Sequence, residues 1–229
     1  GNQSNSIRET VKESYDLSVL NTTYNPTSIV KMVESAIELG KSSKDPNSGI
    51  RILFYGLSGT GKTELARYIA EKIGKRILIK RLSDIFGKYV GENEQNIRNA
   101  FREAAAEDKI LLFDEADSFF YDRTSANASW ERNTVNEFLT QMEEFSGILI
   151  CTTNLRNIMD PAIQRRFHLA VEFKALQEDG IEKLLNKFFS ENKFTTSQID
   201  KLTSYNTVTP GDFGALSSRV RFIPSDEIS

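Results

Sequence analysis

Residues 56–63 read Gly-Leu-Ser-Gly-Thr-Gly-Lys-Thr, and no other stretch restricts the fold as tightly. Glycines at the first, fourth and sixth places let the backbone turn sharply with its N–H groups aimed at one anion. This is the spacing G-x-x-x-x-G-K-[ST] of a phosphate-binding loop, in which the lysine reaches the β- and γ-phosphates and the hydroxyl ligates Mg²⁺. Gly56, Leu57, Ser58, Gly59, Thr60, Gly61, Lys62, Thr63 and, one residue on, Glu64 are therefore candidate nucleotide-binding residues. The flanks have the form the motif needs. Ile52-Leu53-Phe54-Tyr55 reads as a buried strand, and Leu65, Ile69 and Ile73 recur at helical spacing up to Gly74.

The same alternation continues along the chain. Apolar runs at 76–80, 110–113, 148–151 and 169–173 read as strands. Helical patterns lie between them, carried by Ile97, Phe101 and Ala104, and by Val135, Phe138 and Met142. An N-cap and Pro pair, Asn25-Pro26, opens a helix that ends near Gly40. Strands alternating with helices imply a parallel sheet covered on both faces. After about residue 175 only helical patterns remain, at 179–192, 196–205 and 211–222. The expected fold is thus α/β: a P-loop NTPase parallel sheet with helices on both faces, followed by a small all-α lid. Expected domains are an N-terminal arm or linker at 1–20, a large nucleotide-binding domain at 21–175 and a lid at 176–229. No last helix is visible after Phe222, so the lid reads as cut short. Gly1 reads as a tag-cleavage scar, and the chain as a piece of a larger protein.

Bulk properties narrow the function. A net charge of −3 disfavours a general nucleic-acid binder. One cysteine, Cys151, excludes an intrachain disulfide, and no apolar run approaches a membrane span. With no signal peptide visible, the cytoplasm is the expected compartment. The single histidine, His168, excludes a His-rich metal site.

A second motif is Ile110-Leu111-Leu112-Phe113-Asp114-Glu115, four apolar residues and then two acids. A buried strand of this kind delivers both carboxylates at its carboxyl end, on the ligand side of an open α/β sheet. Asp114 is the candidate Mg²⁺ partner together with Thr63. Glu115 is the candidate base that polarises the attacking water. The alternative is an ordinary strand followed by an exposed acidic turn.

With both motifs in hand, the chain resembles the AAA-type ATPases over residues 50 to 220. Thr152-Thr153-Asn154 matches the family's sensor-1 position, which implies that Asn154 helps to orient water near the γ-phosphate. Asp114-Glu115-Ala116-Asp117-Ser118 through Asp122-Arg123 matches a run that in the family reaches toward the neighbouring subunit. Asp160 to Phe167 matches the segment carrying paired arginines, so the resemblance makes Arg165 and Arg166 arginine fingers, closest in form to the katanin/spastin-like branch. The alternative for one of them is a surface salt bridge. Lys88-Tyr89-Val90-Gly91 matches the pore-loop pattern, whose aromatic grips polypeptide in translocating members; packing beneath the loop is the alternative. Pro210-Gly211-Asp212 takes the place of the lid motif, with no arginine where other branches carry sensor 2.

What the resemblance implies is a homo-oligomeric, hexameric ring that hydrolyses ATP with Mg²⁺ and remodels or threads polypeptide. A nucleic-acid-directed ATPase and a slow regulatory switch remain open beside it. The Tyr89 loop and the acidic balance favour polypeptide over nucleic acid.

Overall fold

A computed structural model of the chain describes residues 16–42, 49–87, 91–120, 129–155, 161–190 and 192–220. Five parallel strands form one sheet: β1 (Ile50–Gly56), β2 (Ile77–Arg81), β3 (Ile110–Asp114), β4 (Ile148–Thr153) and β5 (Leu169–Phe173). Their order is β2-β3-β4-β1-β5. Each strand coincides with an apolar run of the sequence, and β3 and β4 are buried at every position, as a sheet covered on both faces requires.

The order of strands matters for the site. β4 lies between β1, which leads into the glycine loop, and β3, which ends in Asp114. Alternation along the strands then sorts side chains to two faces. Ile110, Leu112, Ile148 and Ile150 point to one face, where they pack with Ile29, Val33, Leu65 and Ile69. Those residues come from α1 (Pro26–Ser42) and α2 (Lys62–Lys72). Leu111, Phe113, Leu149 and Cys151 point to the other face, against Ile97, Phe101, Phe138 and Met142. These belong to α4 (Glu92–Ala106) and α6 (Ser129–Glu144), which follow a short α3 (Leu82–Ile85). Phe138 anchors this second core, stacked on Phe119 at 4.5 Å and edge-on to Phe113 at 5.1 Å. Cys151 is fully buried there, which pushes its thiol well up, so it acts as a small core residue.

Besides α3, two more short helices lie where the sequence shows only loop. α5 (Asp117–Phe120) follows directly on the Asp114-Glu115 turn, and its Phe119 and Phe120 are both buried in the second core. α7 (Pro161–Gln164) sits just before the paired arginines. The end of the chain is helical: α8 (Glu178–Phe188), α9 (Thr196–Ser204) and α10 (Pro210–Val220). α9 opens with a reciprocal capping box between Thr195 and Gln198. Ile181, Leu184, Leu185, Ile199 and Phe213 form a separate core.

Residues 16–20, expected within the arm, make contacts of their own. Leu17–Val19 is a 3₁₀ turn capped by Asp16, and Val19 is buried in the lid core. Asn21 then donates its side-chain amide to Ala175 O at 2.7 Å. Among the described residues no helix is long and apolar enough to cross a membrane.

Candidate nucleotide site

The glycine loop closes β1 at the carboxyl end of the sheet. Gly56 has φ +129°, and a Cβ there would lie 2.0 Å from Phe173 O on β5. Only glycine allows the loop to leave the sheet at this point. Gly61 takes a left-handed conformation and α2 starts at Lys62, so the first turn of α2 offers its N–H groups to the mouth of the loop.

Lys62 is 7% exposed and its ammonium donates to Gly56 O at 3.0 Å, Leu57 O at 2.7 Å and Asn154 Oδ1 at 2.9 Å. The Thr63 hydroxyl donates to Asp114 Oδ1 at 2.7 Å. Thr152 donates to the same oxygen at 2.7 Å. Strand alternation explains the convergence. Asp114, Thr152 and Asn154 continue the rows that face α2, whereas Thr153 points to the opposite face. There Thr153 and the Asn154 N–H both bond to Asp117 Oδ1, the latter at 2.8 Å. The first turn of α5 thus clamps the end of β4 from within the chain, and Asp117 is turned inward rather than outward.

Glu115 is exposed beside this cluster with φ +58°. A left-handed glutamate is uncommon and needs support from its surroundings. Its N–H donates to Thr152 Oγ1 at 2.9 Å, and the next N–H, of Ala116, donates to Thr152 O at 2.8 Å.

These groups line one cleft of about 720 Å³. Ser58, Gly59, Gly61, Lys62, Thr63, Glu64, Asp114, Glu115, Thr152 and Asn154 form its polar end. Val19, Leu20, Leu184, Phe188 and Ala215 add apolar surface to the lining. Glu64 is held by Arg67 at 2.6 Å. Thr60 lies just outside the lining, its hydroxyl bonded to Leu57 O at 2.7 Å, which stiffens the loop. The lid meets the loop backbone to backbone: Gly211 N donates to Gly59 O at 2.9 Å. A hydroxyl and a carboxylate in hydrogen-bond contact, with a second acid next in sequence, make a hard-oxygen set that suits Mg²⁺.

The other predicted residues lie elsewhere. Arg165 is exposed and makes no ion pair among the described residues. Arg166 pairs with Glu143 on α6 at 2.5 Å, and its carbonyl accepts from Arg51 Nε at 2.9 Å. The backbone N–H of His168 bonds to Arg51 O at 2.9 Å. Arg166 is therefore moored to the amino end of β1, the end opposite the glycine loop, and Arg165 precedes it directly in the chain. Gly91 caps α4 with φ +85°, and Asn93 accepts from Gly87 N at 2.8 Å. Lys88, Tyr89 and Val90 lie outside the described residues.

Comparison with known proteins agrees with this fold. Residues 52–175 match the family described as "ATPase family associated with various cellular activities (AAA)". The chain belongs to the AAA family of ATPases, a family whose members use ATP. It is 34% identical over 178 residues to Protein SAV of Sulfolobus acidocaldarius, covering 75% of this chain and 22% of that protein. It is 32% identical over 186 residues to the vesicular-fusion protein SEC18 of Candida albicans, covering 72% and 23%. It is 35% identical over 119 residues to the peroxisomal ATPase PEX1 of Dictyostelium discoideum, covering 50% and 10%. The matched segment spans less than a quarter of each of these relatives.

Proposed function

We propose that this chain is the ATP-hydrolysing module of a ring-forming machine that remodels or threads polypeptides. The convergence of Lys62, Thr63, Asp114 and Asn154 on one cleft carries the ATPase reading. In it the loop amides and Lys62 hold the phosphates, and Thr63 and Asp114 hold Mg²⁺. Bound Mg²⁺ neutralises charge on the phosphates. Thr63 gives its proton to Asp114, so its lone pairs stay turned toward a cation. Glu115 takes a proton from the attacking water, and Asn154 orients that water. Val19, Leu20, Leu184 and Phe188 enclose the base.

The position of the arginines supports assembly. From Arg51 to Gly56 the strand rises about 16 Å, too far for Arg165 or Arg166 to span to its own loop. If either neutralises the γ-phosphate, it does so in a neighbouring copy, where such a finger is worth roughly 10³–10⁵ in rate. Arg165 is the more freely presented of the two, and Arg166 lies beside it on Glu143. The paired form of these arginines is the ground for the likeness to the katanin/spastin-like branch. The aromatic–hydrophobic–Gly pattern of Tyr89-Val90-Gly91, the names of the vesicular-fusion and peroxisomal relatives and the acidic balance favour a polypeptide substrate in the cytoplasm over nucleic acid.

Light scattering of Glu115→Gln with and without ATP and Mg²⁺ tests the assembly. A shift from monomer to a ring-sized species on adding ATP is the expected result. A monomer in both conditions, with ATP bound, contradicts the ring reading.

A further inference from the structure

One buried hydroxyl in the cleft has no role in the reading above. Thr152 is 1% exposed and ends an otherwise apolar run, Ile148-Leu149-Ile150-Cys151. A valine would pack and hold the strand about as well, and a buried hydroxyl is costly unless it is bonded. Its bonds are all spent on the acidic pair. Its proton goes to Asp114 Oδ1 at 2.7 Å, and its oxygen accepts the Glu115 N–H at 2.9 Å. β4 sets it directly between the glycine-loop strand and the acidic strand, with Phe54 of β1 as its ladder partner.

We propose that Thr152 is a positioning residue that aims the metal-facing carboxylate of Asp114 and fixes the left-handed turn of Glu115. The inference rests on the ATPase reading above and deepens it. With Oδ1 engaged by two hydroxyls, of Thr63 and Thr152, the carboxylate is fixed in rotation and Oδ2 is the oxygen presented to a cation or its water. The same hydroxyl holds the first N–H of the turn that presents Glu115. The second, Ala116 N to Thr152 O at 2.8 Å, uses only backbone. A side-chain substitution therefore removes the aiming and leaves the turn attached to the sheet.

The test compares Thr152→Val, Thr152→Ser and Thr152→Ala with wild type. A fluorescent ATP analogue is titrated in EDTA and again in Mg²⁺, and kcat and KM are measured where turnover is present. Thr152→Val is expected to bind the analogue in EDTA within about twofold of wild type and to lose about tenfold of the Mg²⁺-dependent gain, the scale of a hydrogen bond to a charged group. Its KM for ATP in Mg²⁺ rises in step with that loss, and kcat falls about tenfold as well. Thr152→Ser restores both. If Thr152→Val does not fold, Thr152→Ala, which fits any space threonine fills, is expected to show the same loss. Full retention of the Mg²⁺ gain in Thr152→Val or Thr152→Ala overturns the inference, as does a Thr152→Ser variant no better than Thr152→Val. Failure of the underlying reading looks different: wild type itself binds no analogue, shows no Mg²⁺ gain, or is matched by Lys62→Ala.

Discussion

The Lys62 ammonium donates to Asn154 Oδ1 at 2.9 Å, tying the glycine loop to the end of β4. It also donates to two carbonyls of the loop itself. An ammonium has three donors, so a phosphate oxygen that takes one must displace a protein acceptor. Binding of phosphate and the setting of Asn154 are thereby linked through one nitrogen.

Replacing the two partners should separate their roles. Lys62→Ala removes the buried cation and is expected to weaken ATP binding by at least about 100-fold, since charged hydrogen bonds are among the strong ones. Asn154→Ala is expected to keep affinity within a few fold and lower kcat by about 10²-fold. Fluorescence anisotropy and steady-state phosphate release measure the pair. Equal loss of affinity in both variants would merge the roles.

The lid is docked through glycines. A Cβ on Gly211 would lie 2.9 Å from Gly59 Cα, backbone that cannot yield cheaply. Gly211→Ala should push α10 off the loop and weaken nucleotide binding several fold, with the melting temperature of the whole chain little changed. Gly214, nearly one turn further on, meets open space, so Gly214→Ala should stabilise the helix by up to about 1 kcal/mol. Calorimetry and nucleotide titration of the two variants check this. Unchanged affinity in Gly211→Ala would show that the contact is incidental.

Complementation tests the arginines. Glu115→Gln keeps its fingers and loses its base; the double variant Arg165→Ala, Arg166→Ala keeps its base and loses its fingers. Each alone should be nearly inactive, and an equimolar mixture should recover measurable turnover. A mixture as inactive as its components, or a double variant that hydrolyses ATP normally, counts against action between copies.

His168 gives a pH dependence. Burial, with the Arg51 guanidinium beside it, holds the imidazole below its usual value. Arg51 Nη2 lies 2.9 Å from Nε2, so a protonated ring would face a cation and a donor. The unfolded chain therefore binds the proton first as pH falls. Stability is complete above the ordinary histidine pKa of about 6.5 and declines as pH drops from there through the lower folded value. The chain has one histidine, so His168→Gln should flatten the melting temperature between about pH 7.5 and 5.5. A slope equal to that of wild type would assign the dependence to another group.

The strands were legible because each lies on an apolar run, and the two phosphate-site motifs fall at the ends of two of them, β1 at Gly56 and β3 at Asp114. The lid helices were legible from period alone. α5 was not, because Asp117 and Ser118 gave it the look of an acidic loop while Phe119 and Phe120 drove it into the core. Strand order was not legible either, since nothing local says that β4 lies between β1 and β3. That order is what turns Thr152 from a strand-end residue into the link between Asp114 and Glu115. The approach of Gly211 to Gly59 was hidden for the same reason: the pair is far apart in sequence and carries no side chain to mark it.

The central claim is hydrolysis of ATP at this cleft with Glu115 as the base. Phosphate release by wild type and Glu115→Gln, at saturating ATP and Mg²⁺, tests it directly. The account predicts Mg²⁺-dependent release by wild type, and a Glu115→Gln variant that binds ATP equally well but turns over at least about 10²-fold more slowly. Near wild-type release from Glu115→Gln would contradict it, and so would a wild-type chain that binds ATP, assembles and releases no phosphate.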